Sequence, residues 1–147
     1  MILHAGLIAA RAGGDWRAAL IMGSSGAGKS DVMLRCLDLG LRLVADDRTL
    51  VWDSGGRLFG RPPDTLRGLI ELRGIGVLRE RGLPFAEAVL VIHCQPMEAA
   101  VERAPDPATH EICGLRLPSL ALHALDASAP AKISRALMRL GQTRGEA

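Results

Sequence analysis

Residues 22–31 read MGSSGAGKSD, and seven of these ten side chains are glycine, serine or alanine. Gly23, Ser24, Ser25, Gly26, Ala27, Gly28, Lys29 and Ser30 match, position by position, the phosphate-loop pattern of glycine, four residues, then glycine, lysine and serine. Glycines at these places let successive backbone N–H groups converge on phosphate oxygens, and the helix that follows adds its unsatisfied N–H groups and positive dipole end. The pattern assigns Lys29 to the β and γ phosphates of a nucleoside triphosphate and the Ser30 hydroxyl to a magnesium ion. The competing explanation is a flexible glycine turn that happens to carry a lysine. The flanking sequence argues against it, because an apolar run, WRAALIMG, leads in and a helical pattern leads out.

Working outward, residues 1–11 and the run from Trp16 are two apolar stretches joined by a glycine turn, which predicts an N-terminal β-hairpin. From Ser30, Val32, Leu34, Leu37 and Leu39 recur among polar residues until Gly40, the pattern of a helix closed by glycine. LRLVADD then reads as a short strand ending in Asp46 and Asp47. Two adjacent acids beside a phosphate loop offer two roles: one carboxylate for magnesium, one to take a proton from an attacking hydroxyl. Glu71 stands inside the apolar run LIELRGIG, so it calls for a partner, either a metal or Arg73. His4, in the opening strand, is placed to tune an aspartate or simply to sit in the core. His93, His110 and His123 show no ligand spacing and receive no role.

Strand, glycine loop, helix and strand in that order predict an α/β domain with its site at the carboxyl ends of strands. Further along, TLVWDSGGRLFGRP predicts a second hairpin near a sheet edge, and AVLVIHC a buried strand. LRGLIELRGIGVL reads as irregular strand and turn, with glycines 68, 74 and 76 opposing helix. MEAAVERAPDPATHEI reads as a proline-broken connection or short helix, and 129–140 as a helix with Ile133, Leu137 and Leu140 on one face. That face suits either the core or a partner.

The length of 147 residues fits one domain. A net charge of +2 is too mild to point to nucleic acid. The basic residues comprise 16 Arg and only 2 Lys, so a lysine inside the glycine stretch stands out. Three cysteines without C-x-x-C spacing read as buried free thiols of a reducing compartment. No apolar run reaches the roughly 18 residues a membrane helix needs, and no basic region precedes the first apolar run. The expectation is a cytoplasmic protein that binds neither membrane nor nucleic acid.

Taken together, LHAG, GSSGAGKSD, LVADD and ELRGIG, in this order, resemble the catalytic domain of the HPr kinase/phosphorylase family, whose signature stretch is E-[IL]-R-G-[LI]-G. The likeness is strong over roughly residues 1–80, by motif order. It implies a phosphate-loop α/β fold with a mixed sheet, an N-terminal β-hairpin and flanking helices. It further implies ATP- and Mg2+-dependent phosphorylation of a serine of the phosphocarrier HPr, a reverse phosphorylase reaction, and assembly as a homo-oligomer. By resemblance, Lys29 and the loop bind the nucleotide, Ser30, Asp47 and Glu71 hold magnesium, and Asp46 is the general base, supported by His4. The chain resembles the short, single-domain members. It departs from longer ones at Asp31, where they carry glutamate. Residues 112–132 do not reproduce their arginine-bearing loop, for which Arg116 and Lys132 are the substitutes. Two other readings compete: a phosphate-loop kinase of a small metabolite, and a nucleotide sensor that transfers nothing. A sensor has no use for the spare base at Asp46.

Overall fold

A computed structural model describes residues 1–145, with side chains through Leu140. Eleven strands and two α-helices are present among them. The predicted N-terminal hairpin is β2 (Gly6–Ala12) and β3 (Asp15–Met22), turned at Gly13 and Gly14, both at positive φ. The first residues do not extend that hairpin. A bend at His4 splits off β1 (Ile2–Leu3), which pairs instead with β5 (Thr49–Ser54).

Helix α1 (Lys29–Asp38) follows the glycine loop and stops where predicted, with Gly40 at φ 92°. β4 (Arg42–Ala45) returns antiparallel to β2 and delivers the two acids. Leu7 faces Ala45 while Ile8 faces Leu43, so Val44 is an extra residue, a bulge just before Asp46. β5 and β6 (Arg57–Arg61) form the second predicted hairpin. The irregular stretch is a separate two-stranded sheet, β7 (Leu69–Leu72) with β8 (Gly76–Arg79).

β9 (Ala86–Gln95) is the spine of the main sheet. One edge pairs in parallel with β3, and the other is shared, its start with β6 and its end with β11 (Leu115–His123). The proline-broken connection is not helical: it leads into β10 (Ala108–Ile112), which forms a hairpin with β11. Pro118 sits inside β11, where a missing N–H ordinarily argues against a strand. Pairing with β9 begins only at Ser119, so the proline takes no part in it.

Two apolar clusters hold the sheet. On one face both helices pack, Val32, Met33 and Cys36 of α1 meeting Ile133 and Leu137 of α2 (Ala129–Gly145) over Ile8, Ile21, Leu90 and Ile92. The apolar side of α2 is therefore core. On the concave face Leu7, Leu20, Val51, Leu58 and Val91 meet one another with no helix between them. The sheet curls enough that a Cβ placed on Gly60 of β6 would lie 2.6 Å from Leu7 Cδ2 of β2, so a larger residue there would require the leucine to shift. Cys36 and Cys94 are buried free thiols as expected, while Cys113 is half-buried.

Candidate active site

β2 runs antiparallel to both β3 and β4, so β3 and β4 share a direction and end on the same side of the sheet. Leu7 faces Leu20 on one side and Ala45 on the other. The glycine loop after β3 and the acids after β4 thus emerge side by side, with one strand, or about 10 Å, separating them. His4 and Ala5 enter from this same end as β2 begins.

The loop is shaped by backbone rather than side chains. Gly23, Gly26 and Gly28 adopt φ of 154°, 83° and 88°, a region other residues rarely visit. Gly23 also lies close under β9, since a Cβ there would meet the Cys94 carbonyl oxygen at 2.8 Å. Ala27 is buried and anchors the loop, its N–H donating to the Ser24 carbonyl at 3.1 Å. Gly28 caps α1 without a side-chain hydrogen bond. Lys29 Nζ donates to the Gly23 carbonyl at 2.6 Å, folding the ammonium over its own loop. Ser24, Ser25 and Ser30 are exposed.

Asp46 is half-buried at the mouth of β4, and its Oδ2 accepts the Glu71 backbone N–H at 2.9 Å. Burial pushes its carboxyl above the ordinary 3.8; the Glu71 N–H opposes the shift, and the negative charges of Asp47 and Glu71 reinforce it. Asp47 holds φ 62°, a left-handed conformation uncommon outside glycine and of the kind that gathers at functional sites. Glu71 owes its place to strand alternation. Ile70 is buried in the helix-side core, so Glu71 points outward into a cavity of about 140 Å³ that Asp46, Asp47 and Arg48 also line. Its backbone N–H, rather than its carboxylate, makes the link to Asp46, which leaves the carboxylate facing the cavity. His4 is exposed in the bend before β2.

These oxygens suit magnesium, a hard cation that takes one or two carboxylates and completes its shell with phosphate oxygens and water. Among the described residues no group of three or more His, Cys, Asp or Glu could hold a metal unaided. The donor set fits an ion that arrives with a nucleotide. A larger apolar cavity, about 460 Å³ between Leu50, Trp52, Arg61 and Phe85, lies on the outer face of β5 and β6, and none of these acids or loop residues lines it.

Sequence reasoning missed Arg35. It lies on α1, donates from Nε to Asp31 Oδ2 at 2.9 Å and from Nη1 to the Asp126 carbonyl at 2.9 Å, and also bonds the Ala124 carbonyl. Only its spacing of four from Asp31 was visible in the sequence. The two proposed substitutes for the missing arginine loop, Arg116 on β11 and Lys132 on α2, are both exposed.

The family model described as "HPr Serine kinase C-terminal domain" matches residues 17–123. Over 60 residues the chain is 47% identical to the HPr kinase/phosphorylase of Brevibacillus brevis, an alignment covering 40% of this chain and 19% of that protein. Against the HPr kinase/phosphorylase of Streptococcus thermophilus it is 45% identical over 71 residues, 48% of this chain and 23% of the relative. The matched part thus spans about a fifth of these relatives. In fold, the chain is similar over its whole length to the "Hpr(Ser) kinase/phosphatase from Coxiella burnetii", with a TM-score of 0.79, 24% identity and 99% of that chain covered. Among the described residues no helix is long and apolar enough to cross a membrane.

Proposed function

The chain belongs to the HPr serine kinase C-terminal domain family, and from that premise we propose that it is an ATP- and Mg2+-dependent protein kinase phosphorylating a serine of the phosphocarrier HPr. The observation that carries the reading is the pairing of a complete phosphate loop with Asp46, a half-buried carboxylate held by the Glu71 N–H at the same end of the sheet. A nucleotide sensor gains nothing from such a group.

Phosphoryl transfer asks a protein mainly for positioning and charge stabilisation. The loop N–H groups and the start of α1 receive the phosphates, and Lys29 exchanges the Gly23 carbonyl for phosphate oxygens. Ser30, Asp47 and Glu71 would hold a magnesium ion, which would supply positive charge to the phosphate chain. Asp46 accepts the proton of the incoming serine hydroxyl; burial makes it a stronger base than an ordinary aspartate. His4 stands at the same end of the sheet to support it. The same Asp46 serves the reverse reaction, activating inorganic phosphate against phosphoserine. The acceptor is a cytoplasmic protein, and a homo-oligomer is the assembly that the family resemblance implies.

The test is mass spectrometry of purified HPr after incubation with the chain, ATP and magnesium. One phosphate added to serine, absent with Lys29→Ala, is the expected result. Retained ATP binding with no phosphate on HPr would overturn the kinase assignment.

A further inference from the structure

The strand order on either side of β3 gives the bound nucleotide a direction. Asp46 and Asp47 leave the sheet at β4, two strands to one side of β3 through β2. The loop after β11 leaves it two strands to the other side, through β9. The strands that carry them, β4 and β11, lie about 10 Å from β3 on opposite sides. Met22 pairs with His93, His93 with Ala121 and Gln95 with His123, so residues 124–126 emerge at the height of the glycine loop. A triphosphate whose γ end faces Asp46 and that runs along this end of the sheet sends its nucleoside toward residues 124–126.

What waits there is an apolar wall. A Cβ built on Gly28 would lie 2.8 Å from Leu125 Cδ2 and 3.4 Å from Ala124 Cβ, so this loop leans directly on the phosphate loop. Leu125 nevertheless leaves 51% of its surface open. The loop is held at both ends. Arg35 on α1 bonds the carbonyls of Ala124 and Asp126, and His123, whose Nε2 lies 2.6 Å from the Ala99 carbonyl, ties the end of β11 to the turn that follows β9. The Arg35 clamp has a second effect. It engages the carbonyls on either side of Leu125; the Asp126 carbonyl also accepts the Ala129 N–H and so has both lone pairs filled, and the Ala124 carbonyl keeps one for an amino group on a base.

We propose that the loop Ala124–Asp126, clamped by Arg35, is the nucleoside subsite, with Leu125 contacting sugar and base by shape and not by hydrogen bonding. The proposal rests on the phosphate-loop reading and adds to it a location for the nucleoside and a nucleotide preference: purine triphosphates are accepted with little regard to their hydrogen-bonding edge. Arg35 is a positioning residue that acts through Ala124 and Asp126.

Calorimetric titration of the full chain with ATP, GTP and inorganic tripolyphosphate, all with magnesium, tests this. Tripolyphosphate reports the phosphate loop alone. Leu125→Ala is expected to weaken ATP about fivefold, as loss of a half-open leucine contact should, with tripolyphosphate affinity unchanged. Arg35→Met is expected to show the same selective loss, which a merely structural role on α1 would not produce. In the unaltered chain ATP and GTP should bind within about tenfold of each other. Equal losses for ATP and tripolyphosphate in both variants, unchanged ATP affinity in both, or an ATP preference above tenfold would overturn the proposal. Failure of the folded, unaltered chain to bind ATP would overturn the phosphate-loop reading with it. ATP binding with the selective loss intact but no phosphate on HPr would leave the subsite standing and overturn the kinase assignment alone.

Discussion

Replacing Asp46 by asparagine isolates one proton. The Glu71 N–H that Asp46 Oδ2 accepts at 2.9 Å can be accepted equally by an asparagine carbonyl, so the β7–β8 hairpin stays docked. What disappears is the capacity to receive the serine proton. General-base catalysis contributes on the order of 10²–10⁴ in rate, or about 2.7–5.5 kcal/mol. The expected result is a fall of that size in kcat for HPr phosphorylation, with ATP affinity unchanged. Asp46→Ala also loses the hydrogen bond, adding about 1 kcal/mol of instability. The pH dependence has a defined sign. Burial raises the native carboxyl above 3.8, so the native state holds this proton more tightly than the unfolded chain. Asp46 therefore costs stability progressively as pH rises from about 3.8 through its native pKa, and Asp46→Asn should be the more thermostable protein at neutral pH. Activity should fall on the acid side of that same native pKa, and the variant should lack this limb. The assays are steady-state kinetics by phosphoserine mass spectrometry across pH and thermal unfolding at pH 4 and 7. A kcat within threefold of the unaltered chain, or an acid limb that survives in Asp46→Asn, would refute the assignment of the base.

Asp47→Asn and Glu71→Gln should each raise the magnesium concentration needed for half-maximal activity by about tenfold or more while leaving the fold intact, read by titrating magnesium at saturating ATP. Leu137→Ala removes a fully buried side chain between α2 and the sheet. It should cost about 3 kcal/mol and lower the melting temperature by roughly 6–12 °C; an unchanged melting temperature would mean α2 does not contribute to the core. Burial pushes the Cys36 thiol up to about 12 and the Cys94 thiol up to about 11, so both stay protonated at pH 8. A thiol reagent at that pH should titrate one cysteine in the native protein, the half-buried Cys113, and three in denaturant.

The residues that came together and those that did not have a common explanation. GSSGAGKS was legible because a phosphate loop is built from its own backbone, and the glycines with positive φ and the helix behind them are neighbours in the chain. LVADD was legible for a similar reason, as a strand and the residues that end it. β10 and β11 were not, because the signals there conflict: prolines at 105, 107 and 118 oppose a strand, and only the pairing of Ser119–His123 with β9 shows that Pro118 falls outside the parallel ladder. The role of Glu71 was half legible. An acid in an apolar run demanded a partner, but the backbone link to Asp46 spans 25 residues and depends on where the β7–β8 hairpin docks.

The amino-acid sequence by itself therefore determined the loop, the acids, the α/β order and the family, all of which rest on conformations set within a few residues. Only the tertiary structure decided that β2 lies between β3 and β4, that the helices share one face while the other face closes on itself, and that Arg35 reaches a carbonyl 91 residues away. Those choices are made by which apolar faces bury one another, and burial is a property of the folded whole rather than of any segment.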